Sequence, residues 1–383
     1  MINNLKNFMK LKITGDQLKK GLKFVGKITK RKSALETLEN VLIECEKNFI
    51  KLLFTNLETG ILYQSLAKTE KEGKLCVKRE ILEKLSTFID EEDIVELEEK
   101  ENFLYIKSEK FNSKIKKFPP EDFPILPLPK EEKFIIVNSK NFTENINSVL
   151  DFTSSSLEKP EISGVFVKVL ENEMIFVATD SFRLGEKKST QKIEGNFPTS
   201  FIIPQESAKE ICGIFGLFNE KIKVYYSPHQ IFLEKKSEEG DFPELLYISR
   251  LIEGTFPEYE GIIPKNFEVE ATLRVDEILR KIKMASVFVK KTNEIELKFL
   301  PKENKIKILT ENADLGSLET EIQTELKGKE ISVLFNYEFL EEGISVIDDP
   351  ELFIGISGED KPALLKPKNL EDFVYVLMPI RKE

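Results

Sequence analysis

Residues 13–28 read ITGDQLKKGLKFVGKI, a short apolar opening that leads into a pattern of helical spacing. Leu18, Leu22 and Val25 recur at intervals of four and three residues, so this segment is predicted to be a helix with one buried face. Two further segments have the same form, VNSKNFTENINSVLDF at 137–152 and LRVDEILRKIKMASVF at 273–288. The three segments start 124 and 136 residues apart, and recurrence at such intervals indicates repeated domains.

A second helix is predicted about 60 residues after each of these. The three segments are LCVKREILEKLSTFI at 75–89, FIIPQESAKEICGIF at 201–215 and ISVLFNYEFLEEGISVI at 331–347. Between and after the helices lie alternating runs such as KIKVYYSPHQIFLEKK, which are typical of antiparallel strands. The sequence therefore predicts an α+β fold of three repeats, each with two helices packed on antiparallel sheet.

Two proline-rich stretches divide the repeats. They are FPPEDFPILP at 118–127 and TFPEYEGIIP at 255–264. Proline fixes φ and lacks a backbone donor, so such stretches suit linkers at sheet edges. We therefore place three domains at residues 1–127, 128–264 and 265–383. The last domain ends in VYVLMPIRKE, a strand that runs into an apolar tail.

Composition favours a cytoplasmic protein that is not attached to a membrane. Of the 383 residues, 40% are hydrophobic and 32% are charged, which allows a core in each domain. No apolar run is long enough for a membrane helix, and the start of the chain lacks the features of a signal peptide. Cys45, Cys76 and Cys212 are widely separated, so we expect reduced core cysteines.

The sequence offers no catalytic constellation. His229 is the only histidine and lies in a turn-like stretch, which argues against a histidine-rich zinc site and a Ser-His-Asp triad. Neither glycine-rich phosphate cradle, GxGxxG or GxxxxGK[ST], is present. The SxxK pattern at 156–159 is short enough to arise by chance. We therefore expect a protein that is not an enzyme and that needs no metal or cofactor.

Charge is unevenly distributed along the chain. The formal net charge is −10, which by itself argues against nucleic-acid binding. The stretch 19–32, KKGLKFVGKITKRK, nevertheless carries seven basic residues and no acidic one. Two interpretations stay open here, a solvated helix face and a surface that contacts phosphates within an otherwise acidic protein.

Four motifs in order carry a resemblance to a known family. ATDSFRL at 178–184, the two proline linkers and the terminal VYVLMPIR together resemble the bacterial DNA polymerase III beta subunit, the replicative sliding clamp. The resemblance extends from Met9 to the end of the chain. It implies three domains of the DNA-clamp fold that close as a head-to-tail homodimer ring around double-stranded DNA. The implied partners are the DNA polymerase III alpha subunit, the clamp loader and other clamp-binding repair and replication proteins.

The resemblance also implies a pocket for partner peptides between the middle and last domains. Its positions here are Ile162, Thr179, Phe182, Arg183, Leu184, Pro257, Ile262, Asn336, Phe339, Val376, Met378, Pro379 and Ile380. Thr179, Arg183 and Asn336 are expected to orient the peptide backbone, and the apolar members form the groove. The alternative for the apolar members is ordinary core. Ser181-Phe182 departs from the Gly-His usual in the family, which predicts a more apolar pocket.

Two further sets follow from the resemblance. The DNA-binding residues expected are Lys19, Lys23, Lys27, Lys32, Lys78, Arg79, Arg280 and Lys283. The dimer-interface candidates are Phe111, Ile115, Val287 and Phe288, for each of which internal core is the alternative. Acidic residues such as Glu80 on the predicted hole-facing helices leave a second function open, a clamp-like paralogue that binds partner peptides but encircles DNA poorly. A nucleotide-acting enzyme is a third class, without a catalytic site to support it.

Overall fold

The order of secondary-structure elements repeats three times along the chain. The computed structural model describes residues 8–30, 35–130, 133–156, 158–289 and 292–381. Within them lie 27 β-strands and six α-helices. Each repeat consists of a strand, a helix, five strands, a second helix and three strands. The predicted α+β class, with two helices and antiparallel sheet in each of three repeats, is confirmed.

The bounds of the elements are as follows. The first repeat contains β1 (Lys10–Thr14), α1 (Gly15–Lys27), β2 (Asn40–Glu46), β3 (Phe49–Thr55), β4 (Thr59–Leu66), β5 (Lys68–Lys71), β6 (Gly73–Lys78), α2 (Arg79–Ser86), β7 (Ile94–Lys100), β8 (Phe103–Lys107) and β9 (Asn112–Phe118). The second contains β10 (Phe134–Asn138), α3 (Ser139–Leu150), β11 (Gly164–Val169), β12 (Glu173–Thr179), β13 (Arg183–Thr190), β14 (Glu194–Gly195), β15 (Thr199–Pro204), α4 (Gln205–Phe215), β16 (Lys221–Tyr226), β17 (Gln230–Lys236) and β18 (Pro243–Arg250). The third contains β19 (Val269–Arg274), α5 (Val275–Ser286), β20 (Glu294–Leu300), β21 (Lys305–Asn312), β22 (Gly316–Gln323), β23 (Leu326–Gly328), β24 (Ile331–Asn336), α6 (Tyr337–Ser345), β25 (Glu351–Ile356), β26 (Ala363–Pro367) and β27 (Phe373–Leu377). None of the helices in the described part of the chain has the length and apolar character needed to cross a membrane.

Helix α1 illustrates how the sequence pattern produces the fold. The predicted apolar face, Leu18, Leu22 and Val25, is buried. Gly21 lies on the same side, and a Cβ at this position would stand only 2.3 Å from Cδ1 of Tyr63 on β4. The absence of a side chain therefore lets the helix approach the sheet closely.

Each repeat builds two antiparallel sheets in the same way. In the first repeat, β1 is flanked by β5 and β7, and β8 and β9 follow outward from β7. The other sheet has the order β4-β3-β2-β6. The second and third repeats use the corresponding strands in the corresponding order. The sequence repeat is thus a repeat of strand pairing as well as of helices.

Strand pairs also join one repeat to the next. Strand β4 of the first repeat pairs with β18, the last strand of the second, and β13 of the second pairs with β27, the last strand of the third. The joint of β13 with β27 gives a sheet of nine strands. The joint of β4 with β18 gives a sheet of fourteen, because β6 also pairs with Lys117 and Phe118 at the end of β9. Strands β22-β21-β20-β24 form a separate sheet of four.

The chain divides into two compact units that do not coincide with the repeats. The first unit comprises residues 1–143, 193–197 and 206–251, and the second comprises 144–192, 198–205 and 252–383. The fourteen-stranded sheet belongs to the first unit, and the other two sheets belong to the second. Because the units separate within the middle repeat, the boundaries placed at residues 127 and 264 stay a prediction.

A buried ionic cluster joins α1 to the middle repeat inside the first unit. Lys235 is 2% exposed, and its ammonium lies 2.8 Å from a carboxylate oxygen of Glu244 and 3.1 Å from one of Glu220. Lys20 of α1 pairs with the other oxygen of Glu244. Burial alone would raise the pKa of Glu244, but the hydrogen bonds from the two lysines hold it below its ordinary value.

Candidate functional site

The ATDSFRL segment closes the hairpin between β12 and β13. The hydroxyl of Thr179 donates to the Arg183 carbonyl oxygen at 2.7 Å. One carboxylate oxygen of Asp180 accepts from the backbone N–H groups of Phe182 and Arg183, both at 2.9 Å. Ser181 has φ of +80°, which the turn requires of it. The polar residues of this motif therefore satisfy the backbone of a tight turn.

The first repeat contains the same turn. Between β3 and β4, in the sequence FTNLETG, the Thr55 hydroxyl donates to the Thr59 carbonyl at 2.7 Å. The side-chain oxygen of Asn56 accepts from the N–H groups of Glu58 at 3.0 Å and Thr59 at 2.7 Å. Leu57 has φ of +76°, close to that of its counterpart in the second repeat. Two different sequences thus fold into one turn, because both place a threonine and an Asp or Asn at its start.

Each turn is fixed to the strand that follows it in the sheet. The N–H of Met378 donates to the carbonyl of Phe182 at 2.9 Å, and the N–H of Arg250 donates to the carbonyl of Glu58 at 3.0 Å. In the second repeat this bond brings the chain tail, beyond β27, against the turn. The side chain of Phe182 is left 63% exposed beside it.

Arg183 is a structural anchor, and its predicted role as a handle for the peptide stays a prediction. It is 9% exposed, and its guanidinium donates to Asp180 and to the carbonyl of Asp151, both at 2.9 Å. The same group pairs with Glu342 and lies 4.2 Å from the centroid of the Phe339 ring. Burial alone would lower the pKa of Arg183, but the hydrogen bond to Glu342 raises it above its ordinary value. These contacts engage the guanidinium within the protein.

A cavity of about 730 Å³ in the second unit collects part of the predicted pocket. The predicted residues that line it are Thr179, Phe182, Arg183, Leu184, Ile262, Val376 and Met378. Leu184 and Val376 are buried and form its floor, whereas Ile262 is 53% exposed and Met378 is 38% exposed. An open groove with an apolar floor and walls of this kind suits an apolar peptide segment.

Three predicted pocket residues lie elsewhere in the second unit. Ile162 is 3% exposed and belongs to the hydrophobic cluster beneath Leu184, which is the core alternative. Pro257 borders a neighbouring concavity of about 750 Å³. Asn336 caps helix α6, where its side chain accepts from the N–H of Glu338 at 2.9 Å. The side-chain oxygen of Asn336 thus serves the helix, and its role in orienting a peptide stays a prediction.

The remaining three do not line the cavity either. Phe339 packs under the guanidinium of Arg183, as described above. Pro379 is buried, and the N–H of Ile380 donates to the carbonyl of Leu334 at 2.8 Å. The end of the tail is thus held to β24.

Sequence reasoning missed one side of the cavity. This side consists of Ile263, Pro264, Lys265 and Asn266 at the end of the second linker, and Ser357, Lys361 and Pro362 in the turn between β25 and β26. The turn reaches the cavity because β25 and β26 stand next to β27 in the sheet. No motif marks it, and only the strand order could have revealed it.

The predicted DNA-binding residues fall into exposed and engaged groups. Lys23 and Lys27 are exposed on α1, and Lys19 is partly buried one turn before them. On α5, Arg280 is exposed, and Lys283 is exposed with its ammonium 3.4 Å from a carboxylate oxygen of Glu341. These residues present cationic groups on two helices.

Two of the predicted DNA-binding residues form contacts within the protein, and a third lies outside the described residues. Lys78 is paired with Glu39 at 2.5 Å. Arg79 is 3% exposed and donates to the carbonyls of Val25 at 3.2 Å and Ile28 at 3.0 Å, so it fastens the end of α1. Burial lowers its pKa. Its guanidinium is thus engaged within the protein, and a contact of Arg79 with DNA stays a prediction. Lys32 lies outside the described residues.

The interface candidates divide similarly. Val287 is 66% exposed at the end of α5, and Phe288 and Phe111 are partly buried. Ile115 is 3% exposed and faces Leu104 across β8 and β9, which agrees with the alternative of internal core. The proposal of a contact through the Ile115 side chain is therefore corrected.

Comparison with known proteins identifies the family. Models of the N-terminal, central and C-terminal domains of the DNA polymerase III beta subunit match residues 9–127, 136–258 and 260–381. The beta sliding clamp of Bacillus subtilis (strain 168) is 24% identical over 391 residues, which cover 97% of this chain and 100% of the relative.

Solved structures agree in fold. The DNA polymerase III beta subunit of Thermotoga maritima has a TM-score of 0.89 at 23% identity and covers 98% of this chain and 100% of its own. The B. subtilis sliding clamp has a TM-score of 0.91 at 21% identity with the same coverage. Since the three domain matches together span nearly the whole described chain, this chain belongs to the DNA polymerase III beta subunit family, the DNA sliding clamps.

Proposed function

We propose that this chain is a replicative sliding clamp, which closes as a head-to-tail homodimer ring around double-stranded DNA and tethers a polymerase to it. The role is that of a non-catalytic processivity factor acting in the cytoplasm. One observation carries the proposal. In a threefold repeat joined by strand pairs, the third repeat keeps one outer strand unjoined, β22. In the first repeat, the last two residues of β9 pair with β6, and residues 112–116 have no strand partner among the described residues on the side away from β8.

The two internal joints supply a template for the missing one. At the first joint, Ile61 of β4 pairs with Tyr247 of β18. At the second, Gly185 of β13 pairs with Tyr375 of β27. Both pairs occupy equivalent rows of their repeats. A third joint of this kind, made between two copies of the chain, closes a ring of six repeats.

The template fixes the register of the proposed contact. Equivalent residues lie at the same place in the strand ladder, counted from the residue that precedes each helix. By this count, Leu318 of β22 is equivalent to Ile61 and Gly185. Ser113 of β9 is equivalent to Tyr247 and Tyr375. Pairing Leu318 of one copy with Ser113 of the next sets Glu319 diagonal to Lys114 on the same face of the sheet.

Charge supports this pairing. Strand β22 exposes Glu319 and Glu321, which also pair with Lys307 and Lys305 of the neighbouring β21. Strand β9 exposes Lys114 and Lys116. An acidic edge and a basic edge attract each other and disfavour pairing of either edge with itself. The combination favours a head-to-tail arrangement over a head-to-head one.

The exposed lysines of α1 and the basic residues of α5 are the proposed contacts to DNA phosphates. Contacts of this kind carry no sequence information and weaken as salt rises. This behaviour suits a protein that must move along the duplex. The net charge of the whole chain is −10, so the surface outside these helices is acidic on balance and disfavours DNA binding there.

The groove at the ATDSFRL turn is the proposed docking site for partner proteins. Its occupants would be short apolar segments of the DNA polymerase III alpha subunit, the clamp loader and other replication and repair proteins. An exposed phenylalanine at its mouth, Phe182, adds apolar area that a partner side chain can cover.

Solution mass and retention on DNA test the proposal together. Light scattering should give twice the 44.2 kDa of one chain. After treatment with the clamp loader and ATP, the protein should remain on closed circular DNA and leave when the circle is cut. A persistent monomer, or equal loss from circular and linear DNA, would contradict the ring and favour the paralogue that binds peptides alone.

A further inference from the structure

The cavity follows the ends of four neighbouring strands. In the second unit, β13, β27, β26 and β25 stand side by side, and the cavity lies where Arg183, Leu377, Ala363 and Ile356 form one row. Neighbouring strands are about 4.8 Å apart, so this row is roughly 14 Å long. An extended peptide advances about 3.3 Å per residue, so about four residues would span it.

The two ends of this row differ in chemistry. At the β13 end, the hydroxyl of Thr179 and the guanidinium of Arg183 are engaged within the protein, as described above. What remains for a peptide there is apolar, namely Leu184, Val376 and Met378. This end can hold an apolar anchor but offers little polar recognition.

The β25 end carries one unsatisfied polar group. The hydroxyl oxygen of Ser357 is buried and has no hydrogen-bond partner among the described residues. A buried hydroxyl without a partner is costly, and a site that binds a polar ligand is one reason for such a group. Ser357 lines the cavity, so rotation about its χ1 angle can turn the hydroxyl toward a ligand.

Two lysines border the same end. The stem of Lys361 folds over the residue after Ser357, since a Cβ at Gly358 would lie 3.1 Å from Cδ of Lys361. Lys265 enters from the linker. Within the described chain neither lysine has an ion-pair partner, whereas Glu260, the acid that lines the cavity, stands 3.9 Å from Lys168.

We propose that the β25 end of the cavity binds a carboxylate of the partner peptide, about four residues from its apolar anchor. The inference rests on the proposed peptide site. Ser357 donates its O–H to the carboxylate, and Lys361 supplies the opposite charge. The carboxylate belongs to an Asp or Glu side chain or to the C-terminus of the partner, since both present the same two oxygens.

Labelled peptides can separate these sources. We would compare Leu-Phe-Gly-Ser-Glu amide, its Gln analogue as the amide, and the Gln analogue with a free C-terminus, each also with the anchor and acid in reverse order. Fluorescence anisotropy at low ionic strength measures the dissociation constants. The better acidic peptide should bind about tenfold more tightly than the neutral amide, as expected of a charge-assisted hydrogen bond.

Variants locate the effect. Ser357→Ala and Lys361→Gln should each remove most of the preference for acid while the neutral amide binds as before. Lys366→Gln changes a lysine of β26 that lies against Phe353 and should retain the preference. Met378→Ala should weaken all peptides alike, because it alters the apolar end.

The outcomes distinguish the carboxylate site from the proposed peptide pocket on which it rests. Equal binding of acidic and neutral peptides, with both weakened by Met378→Ala, would overturn the carboxylate site and leave the peptide pocket standing. Loss of preference in Lys366→Gln would also overturn it. If no peptide binds and Met378→Ala binds the polymerase alpha subunit normally, both the pocket and this inference fail.

Discussion

Replacing Arg183 with methionine tests whether this arginine anchors the fold or orients a bound peptide. The substitution keeps a long side chain but removes the bonds to Asp180 and to the carbonyl of Asp151. Hydrogen bonds to charged groups contribute about 1.5–3 kcal/mol each. Because Glu342 is 47% exposed, the ion pair with it adds less than a buried pair would. The expected local destabilisation is about 3 kcal/mol.

Hydrogen exchange read by mass spectrometry is the assay. A loss of about 3 kcal/mol should speed exchange in β12 and β13 roughly a hundredfold, since 1.4 kcal/mol corresponds to a factor of ten. Peptide affinity should stay nearly unchanged at a temperature where the variant is folded. Arg274→Met is the matched control, because its ion pair with Asp276 is highly exposed and should contribute little. Unchanged exchange together with a large fall in affinity would refute the anchoring role and support the original prediction.

Three further predictions follow from the described contacts. Lys114→Glu and Glu319→Lys should each raise the dimer dissociation constant about tenfold, as measured by light scattering across a dilution series. The double variant should restore the dimer, because the diagonal pair occurs at both contacts of the ring. Failure of the double variant to recover would exclude the proposed register. The double variant Lys23→Glu, Lys27→Glu should stay on circular DNA for a shorter time after loading, and the salt dependence of this retention should fall. Its thermal stability should not change. Unchanged retention would show that α1 does not contact DNA. The pKa of Glu244 is held low in the folded chain, so its stabilising contribution is present above its ordinary value of 4.5 and is lost as the pH falls below it. Glu244→Gln should therefore flatten the loss of stability in this acidic range as measured by urea unfolding, and an unaltered pH profile would argue against the cluster.

Much of the fold could be predicted because periodicity is written in the sequence. Leu18, Leu22 and Val25 mark the buried face of α1 whatever the rest of the chain does, and the same spacing recurs in the other repeats. The strand joints could not be predicted in this way. Pairing of β4 with β18 or of β13 with β27 depends on which sheet edges meet in space. The alternation of apolar and polar residues within a strand does not indicate which strand lies next to it.

The site was predicted in part for a related reason. Sequence gives the charge of Arg79 and Arg183 but not their burial, so both were expected at surfaces where the structure instead uses them to fasten helix and turn. Leu184, Val376 and Met378 were found through their motifs and do line the cavity. Ser357 and Lys361 belong to an unremarkable turn and become neighbours of the tail only through the order of strands.

The turn that occurs in both the first and the second repeat shows which of its residues hold the backbone and which vary between the copies. Its two copies share the threonine and the Asp or Asn that hold the backbone, yet Phe182 corresponds to Glu58 and Leu184 to Gly60. At Gly60 the room for a side chain is taken by Leu126, whose Cδ2 would lie 2.8 Å from a new Cβ. The turn of the second repeat thus borders an apolar groove, whereas the turn of the first repeat packs against the linker, and the hairpin is the same in both. Substitution at positions 182 and 184 would therefore change the groove, whereas substitution of Thr179 or Asp180 would remove hydrogen bonds on which the turn depends.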